Sequence, residues 1–329
     1  MNVAIIGCGL VGRKRAAALG PARLAACADV SVERARALAA QAPGAAASDD
    51  WRAVVQRPDI DIVVVATTND ALADVAIEAV RHGKHVLVEK PAARSVREVD
   101  RIIEAARLSF ARVRVGFNHR YHPALRKAFQ LARNGALGDL MFVRGRYGHG
   151  GRLGYESEWR ADPARSGGGE LIDQGVHLID LARWFLGGFT KIEGTARTMY
   201  WNMPVDDNAF MTLETAEGRL AFLHCSSTEW KNLFSLEIYG KKGKLHVEGL
   251  GGSYGTERLA YYKMLPEMGP PETSIWEFPM ADTSWQVEFE EFLEDIRLTR
   301  LPAANLHDAR ATLEVVERIY QESGYDHRP

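Results

Sequence analysis

The stretch that decides the fold is Val3-Ala4-Ile5-Ile6-Gly7-Cys8-Gly9-Leu10-Val11-Gly12, at the very start of the chain. Val3–Ile6 is a short apolar run, as a buried strand would be. It ends at a G-x-G-x-x-G turn and passes into an Ala-rich helical segment, Arg13–Leu19. Leu24–Ala28 reads as the next strand, and Asp29 stands at its end, close to the roughly 20-residue spacing of a ribose-binding acid. Glycines in a turn have a purely structural explanation too, since they permit positive φ and tight packing. The strand, turn, helix and acid together point to a dinucleotide. Gly7 allows the turn, Gly9 lets a pyrophosphate approach the backbone, and Gly12 lets helix pack on strand. Leu10 and Val11 open the helix, whose free N–H groups and positive dipole end face the phosphates. Asp29 accepts from ribose hydroxyls and repels a 2′-phosphate, with Arg34 the nearest arginine, so NAD is expected over NADP.

Outward from this motif, short strands alternate with helical stretches. Helices are expected at Val32–Gln41, Ala71–Arg81 and Val96–Arg107, and strands at Ile62–Ala66, His85–Val88 and Val113–Phe117. In the last of these helices Val99, Ile102, Ile103 and Ala106 fall on one face. Such alternation predicts a parallel sheet covered on both sides. The character changes after Phe117. Helices are expected at Pro123–Arg133 and Glu170–Phe185, and a strand at Leu140–Tyr147. Strands at Ala209–Thr215, Leu220–Ser226, Phe234–Tyr239 and Lys244–Glu248, punctuated by glycines, predict an antiparallel sheet. Helices at Trp285–Leu298 and Asp308–Ser323 close the chain. The expected domains are residues 1–118, binding dinucleotide, and 119–329, binding substrate and a second copy. Leu220-Ala221-Phe222-Leu223 is apolar on both faces, which suggests that a partner subunit covers the open side of the sheet.

Composition narrows the function. Lys plus Arg number 41 against 43 Asp plus Glu, a net charge of −2 that argues against a nucleic-acid binder. Three scattered cysteines are too few for a disulfide framework or a thiolate zinc site. No apolar run approaches the roughly 18 residues of a membrane span. The first residues carry no basic segment followed by an apolar one, so a cytoplasmic protein is expected.

Several further motifs occur in one order: Ala66-Thr67-Thr68-Asn69, Glu89-Lys90-Pro91, Val115-Gly116-Phe117-Asn118-His119-Arg120-Tyr121, and Gly167-Gly168-Gly169-Glu170-Leu171-Ile172-Asp173-Gln174-Gly175-Val176-His177. With the glycine loop they resemble the Gfo/Idh/MocA oxidoreductases, named for glucose–fructose oxidoreductase and inositol dehydrogenase, over essentially the whole chain. The resemblance implies an α/β chain: a Rossmann domain with a doubly wound parallel sheet, then an α/β domain with a large, mostly antiparallel open sheet that makes a homodimer or homotetramer. It also implies Lys90, Asp173 and His177 as the catalytic group. Asp173 and His177, at i and i+4, would share a helix face. A metal site of Asp173, His177 and Asp180 is the alternative, a weak one without a His or Cys cluster elsewhere. Thr67, Asn69, Glu89, Lys90 and Asn118 are expected beside the cofactor, and Lys90, Arg120, Trp159, Arg160, Asp173 and His177 beside the substrate.

The chemistry so implied is hydride transfer between a secondary alcohol or ketone and a nicotinamide, in a sugar, a cyclitol or a nucleotide-linked sugar. His177 suits the general acid/base, and Lys90 would stabilise the alkoxide. Arg152, Arg160 and Arg165 would suit an acidic or nucleotide-linked substrate, unless they pair with Glu156, Glu158 and Asp162 nearby. Two alternatives share the scaffold: elimination or hydrolysis of a glycoside through transient oxidation, and a non-catalytic regulator that binds dinucleotide and sugar.

Overall fold

The structure is a computed structural model and describes residues 1–267 and 269–325. The first domain alternates strand and helix: β1 (Asn2–Ile6), α1 (Leu10–Ala17), β2 (Arg23–Ala28), α2 (Val32–Ala39), β3 (Ala46–Ser48), α3 (Trp51–Val55), β4 (Ile62–Val65), α4 (Asn69–Arg81), β5 (His85–Glu89), α5 (Val96–Arg107) and β6 (Val113–Gly116). The strands lie in the order β3-β2-β1-β4-β5-β6, all parallel. The order reverses between β1 and β4, where ligands bind beyond the strand C-termini of such sheets. Alternate residues of each strand supply two cores. Val3, Ile5, Cys27, Ile62, Val64 and Leu87 face one side, while Ala4, Ile6, Val63, Val65, Val86 and Val88 face the other. Two elements were not expected. β3 is three residues long, too short for any periodicity, and α3 is a five-residue helix begun by Asp50, whose carboxylate accepts from the Arg52 and Ala53 N–H groups.

After a 3₁₀ turn at Asn118–Tyr121, the second domain comprises α6 (Pro123–Arg133), β7 (Leu140–Gly148), α7 (Pro163–Ser166), a π-helical turn (Leu171–Gly175) running into α8 (Val176–Leu186), and seven further strands. These are β8 (Phe189–Arg197), β9 (Asn208–Thr215), β10 (Leu220–Ser226), β11 (Leu233–Gly240), β12 (Gly243–Glu248), β13 (Glu257–Lys263) and β14 (Glu272–Phe278). The sheet order is β14-β13-β12-β11-β7-β10-β9-β8, with every neighbour antiparallel except the β7–β10 pair. One face packs on α8 through Val143, Leu223, Leu236 and Leu178. The other presents Phe142, Arg144, Phe210, Phe222, His224, Glu237 and Lys244, the alternate positions of the same strands. β8, β13 and β14 escaped the sequence reading because charged and polar residues interrupt them (KIEGTAR, ERLAYYK, ETSIWEF).

The chain closes with α9 (Ser284–Arg297) and α10 (Leu306–Ser323), and α9 returns to the first sheet. Phe289, Phe292 and Ile296 join the core with Val3, Ile5, Leu87 and Leu38. The first domain therefore completes one of its faces with residues from the far end of the sequence.

Candidate active site

Two of the three loop glycines, Gly7 and Gly12, have no room for a side chain. A Cβ on Gly12 would lie 1.9 Å from the Gly7 carbonyl oxygen, whereas one on Gly9 would meet nothing within 4 Å. Helix packing thus excludes a side chain at Gly12, while Gly9 lies open on the side where a pyrophosphate would approach. α1 starts at Leu10 with no side-chain cap, so its first N–H groups, with that of Val11, are suited to phosphate oxygens. Asp29 accepts from the Cys8 N–H at 2.7 Å and the Ser31 N–H at 2.9 Å, and its carboxylate lies 3.2 Å from Arg34 Nε. This cradle fits a dinucleotide. Thr67 and Asn69 sit at the β4–α4 junction, where Asn69 is buried and donates to the Ser166 carbonyl at 2.8 Å. Asn69 ties the cofactor domain to the end of α7, just before the glycine run, and Thr67 donates to the adjacent Thr68 carbonyl.

Beyond the C-terminal ends of β5 and β6 lies a crevice of about 190 Å³, whose walls include Val11, Glu89, Lys90, Asn118, Arg160, Asp173 and His177. Lys90, which precedes a cis-proline bond, donates to Asp173 Oδ1 at 2.5 Å and to the Asp173 carbonyl at 2.6 Å. Arg160 Nε binds the other oxygen of Asp173 at 2.9 Å. Burial pushes the Asp173 carboxyl up, but Lys90 and Arg160 outweigh it and hold the group well below the usual carboxylate range. Asp173 is thus a fixed anion between two cations. His177 is pushed the opposite way from protonation: burial first, then Lys90 and His122, lower its proton affinity well below the ordinary 6.5. Its Nδ1 is buried without a hydrogen-bond partner.

Asp173 and His177 come together in an unexpected manner. One continuous helix was expected, yet Asp173 lies in the π turn and His177 in the first turn of α8. Such turns widen the helix locally and recur at functional sites. The glycines upstream set the position of this turn. A Cβ on Gly169 would lie 1.9 Å from the Asp206 carbonyl oxygen, and Asp206 accepts from the Gly169 and Leu171 N–H groups and from the Tyr320 hydroxyl.

Other expected residues are placed differently. Arg120 does not reach the crevice. Its guanidinium is buried against Asp180, bonded through Nε at 2.8 Å and Nη2 at 2.5 Å, and donates to the Ala303 carbonyl. The same pairing occupies Asp180, and among the described residues no cluster of three or more His, Cys, Asp or Glu could hold a metal ion. Trp159 lies beneath the Arg160 guanidinium, 4.6 Å from it, and so supports a wall residue. Arg152 pairs with Glu158 at 2.6 Å, at the exposed rim. Asn118 lines the crevice and donates to Ser284 Oγ at 3.0 Å. Glu89 is bound by Arg15 at 2.5 Å, and Arg15 in turn binds Glu288 of α9 at 2.5 Å.

The sequence reading missed the far wall. His119, His122, Tyr147, Tyr254, Asp282 and Trp285 also line the crevice. His119 stood in a quoted motif and His122 lies one residue past its end, so both were available as titratable residues next to a strand end. Tyr254, Asp282 and Trp285 lie about a hundred positions beyond the glycine run, and only the fold brings them in.

Comparison with known proteins agrees with this architecture. Residues 1–117 match the oxidoreductase family with an NAD-binding Rossmann fold, and residues 125–246 match the GFO/IDH/MocA C-terminal domain. Levoglucosan dehydrogenase of Pseudarthrobacter phenanthrenivorans is 31% identical over 231 residues, covering 66% of this chain and 59% of that protein. Inositol 2-dehydrogenase 2 of Saccharopolyspora erythraea is 33% identical over 228 residues, covering 67% of this chain and 65% of that protein. The chain thus matches less than two thirds of the length of either relative. Among solved structures, a levoglucosan dehydrogenase in complex with NADH and L-sorbose superposes with a TM-score of 0.87 at 23% identity, over 98% of this chain and 97% of that one. No helix among the described residues is long and apolar enough to cross a membrane. With a parallel dinucleotide sheet, a mostly antiparallel second sheet and the two matching domains, the chain belongs to the Gfo/Idh/MocA family of oxidoreductases.

Proposed function

We propose that the chain is an NAD-dependent dehydrogenase that interconverts a secondary alcohol and a ketone on a sugar or cyclitol, acting in the cytoplasm as a homo-oligomer. The observation that carries this reading is the convergence of Lys90, Asp173 and His177 on one crevice beside the glycine loop. The nicotinamide, when bound, supplies the hydride acceptor or donor. The chain supplies the rest. His177 is neutral at working pH, so its Nε2 is free to take the hydroxyl proton, since Nδ1 is enclosed. Lys90 bears on the oxygen that becomes negative as that proton leaves. Asp173 holds Lys90 in place and is itself fixed by Arg160.

The names of the relatives support a polyhydroxylated substrate. So does the charge pairing, since Arg160 and Arg152 are already bound to carboxylates. That favours a neutral sugar or cyclitol over an acidic or nucleotide-linked one. We expect Lys90→Ala and His177→Ala each to lower kcat by about a hundredfold or more while NADH still binds. Steady-state assays over a polyol panel, with NADH fluorescence titration alongside, check this; near-normal turnover in either variant refutes its assignment. Because burial and Lys90 lower the proton affinity of His177, alcohol oxidation should be level at neutral pH and fall only below 6.5, as His177 takes up a proton before substrate arrives.

A further inference from the structure

Resting on the reading of His177 as the base, we propose that His119 is its positioning partner: the stacked imidazole of His119 fixes the His177 ring and favours a single proton on the pair. A histidine base is usually oriented by a hydrogen bond to its second nitrogen. Here Nδ1 of His177 has no such partner. What holds the ring is packing. The His119 and His177 rings are stacked with centroids 3.7 Å apart and planes 21° apart, while Phe117 and Tyr147 meet His177 edge-on at 6.2 and 6.1 Å. His119 is confined in turn. Its Nδ1 lies 3.3 Å from Asn118 Oδ1, and the rings of Tyr147, His122 and Phe234 surround it at 5.1, 5.5 and 6.0 Å.

The charges around the stack determine what it can hold. Lys90, directly after β5, is engaged by Asp173 of the π turn. The 3₁₀ turn leads into His122, which is paired with Glu257 of β13 at 3.0 Å and lies 4.0 Å from Asp282. β7 and β11 contribute Tyr147 and Phe234, neither of which carries a charge at neutral pH. No carboxylate bonds to either stacked ring among the described residues, so nothing compensates two positive charges at this separation. A single imidazolium fares better, because a cation over a neutral aromatic face is attracted by the negative face of the ring. Burial and the neighbouring cations disfavour a proton on either ring at rest. The pair is thus empty before the reaction and accepts one proton, the one the alcohol gives up to His177 Nε2.

The test compares His119→Ala, His119→Phe and His177→Ala. The His177 ring signal, assigned by its loss in His177→Ala, is titrated by NMR in the protein without added substrate. Turnover is measured with myo-inositol and levoglucosan across pH. In His119→Ala, water enters beside the base, so the His177 titration should move up towards 6.5 by about half a unit or more. Loss of ring orientation should also lower kcat by about tenfold to a hundredfold, with KM and NADH affinity close to wild type. Phenylalanine keeps a flat face and excludes water, so His119→Phe should restore both the titration and most of kcat. The proposal is overturned if His119→Ala leaves the His177 titration unmoved, or if His119→Phe matches His119→Ala. Retained turnover in His177→Ala would instead overturn the base assignment, whatever His119 does.

Discussion

Asp29 shares its two oxygens among three partners: the backbone N–H groups of Cys8 and Ser31, and Arg34. The first bond ties the acid to the glycine loop, and the last sets a cation beside the acid expected to hold the ribose. The expected NAD preference therefore rests on a pair of opposing residues. Asp29→Ala should weaken NAD by about tenfold to a hundredfold, the worth of a hydrogen bond to a charged group, and narrow the gap to NADP. Arg34→Ala should widen that gap. Fluorescence titration with NADH and NADPH measures both, and an unchanged ratio in Arg34→Ala would place Arg34 outside the ribose site. Residues of this kind were legible because loop, strand end and acid are fixed by local spacing. Arg120 was not. Its neighbours in sequence point to the crevice, but Asp180, sixty positions on, holds its guanidinium elsewhere.

Among the elements, β10 shows how a pattern survives into the fold. Ala221, Leu223 and Cys225 are buried against α8 and the π turn, while Leu220 and Phe222 remain 43% and 53% exposed on the opposite side. The apolar run was legible as two-faced, and the structure leaves its second face uncovered in the isolated chain. Around Phe222, the open face carries a stacked Phe142–Tyr239 pair, a stacked Phe210–His224 pair and the Arg144–Glu237–Lys244 ion cluster. Aromatic and arginine side chains with an apolar centre have the composition of a subunit interface. We therefore expect a second copy on this face. Phe222→Glu should lower the mass seen by analytical ultracentrifugation to that of one chain, without loss of folded structure. A wild type that sediments as a monomer at micromolar concentration would remove this role from the sheet. The π turn, by contrast, was not legible. Its wider spacing depends on contacts of Gly169 and Leu171 with Asp206, which lies beyond β8.

At the scale of the whole molecule, the division near Phe117 describes the order of the chain better than it describes the cores. α9 lies nearly 170 residues beyond that point, yet it shields one face of the first sheet with Phe289 and Phe292 and carries Glu288 to Arg15. Arg15 and Glu288 are fully enclosed, and Arg15 also holds Glu89, next to Lys90. A buried ion network of this sort adds little net stability, because desolvation opposes the attraction. Removing one member is another matter, since it leaves an uncompensated charge in a site closed to water. Glu288→Ala should therefore destabilise the fold by about 3 kcal/mol, the lower end for a broken buried pair because Glu89 still faces Arg15. The second consequence is felt in the crevice. Arg15 left with one carboxylate draws more strongly on Glu89, and the end of β5 that presents Lys90 shifts with it, so kcat should fall although Glu288 touches no substrate. Chemical denaturation gives the first quantity and steady-state kinetics the second. A loss below about 1 kcal/mol would mean that water reaches Arg15, and α9 would then be a cover for the sheet without a part in holding the active site.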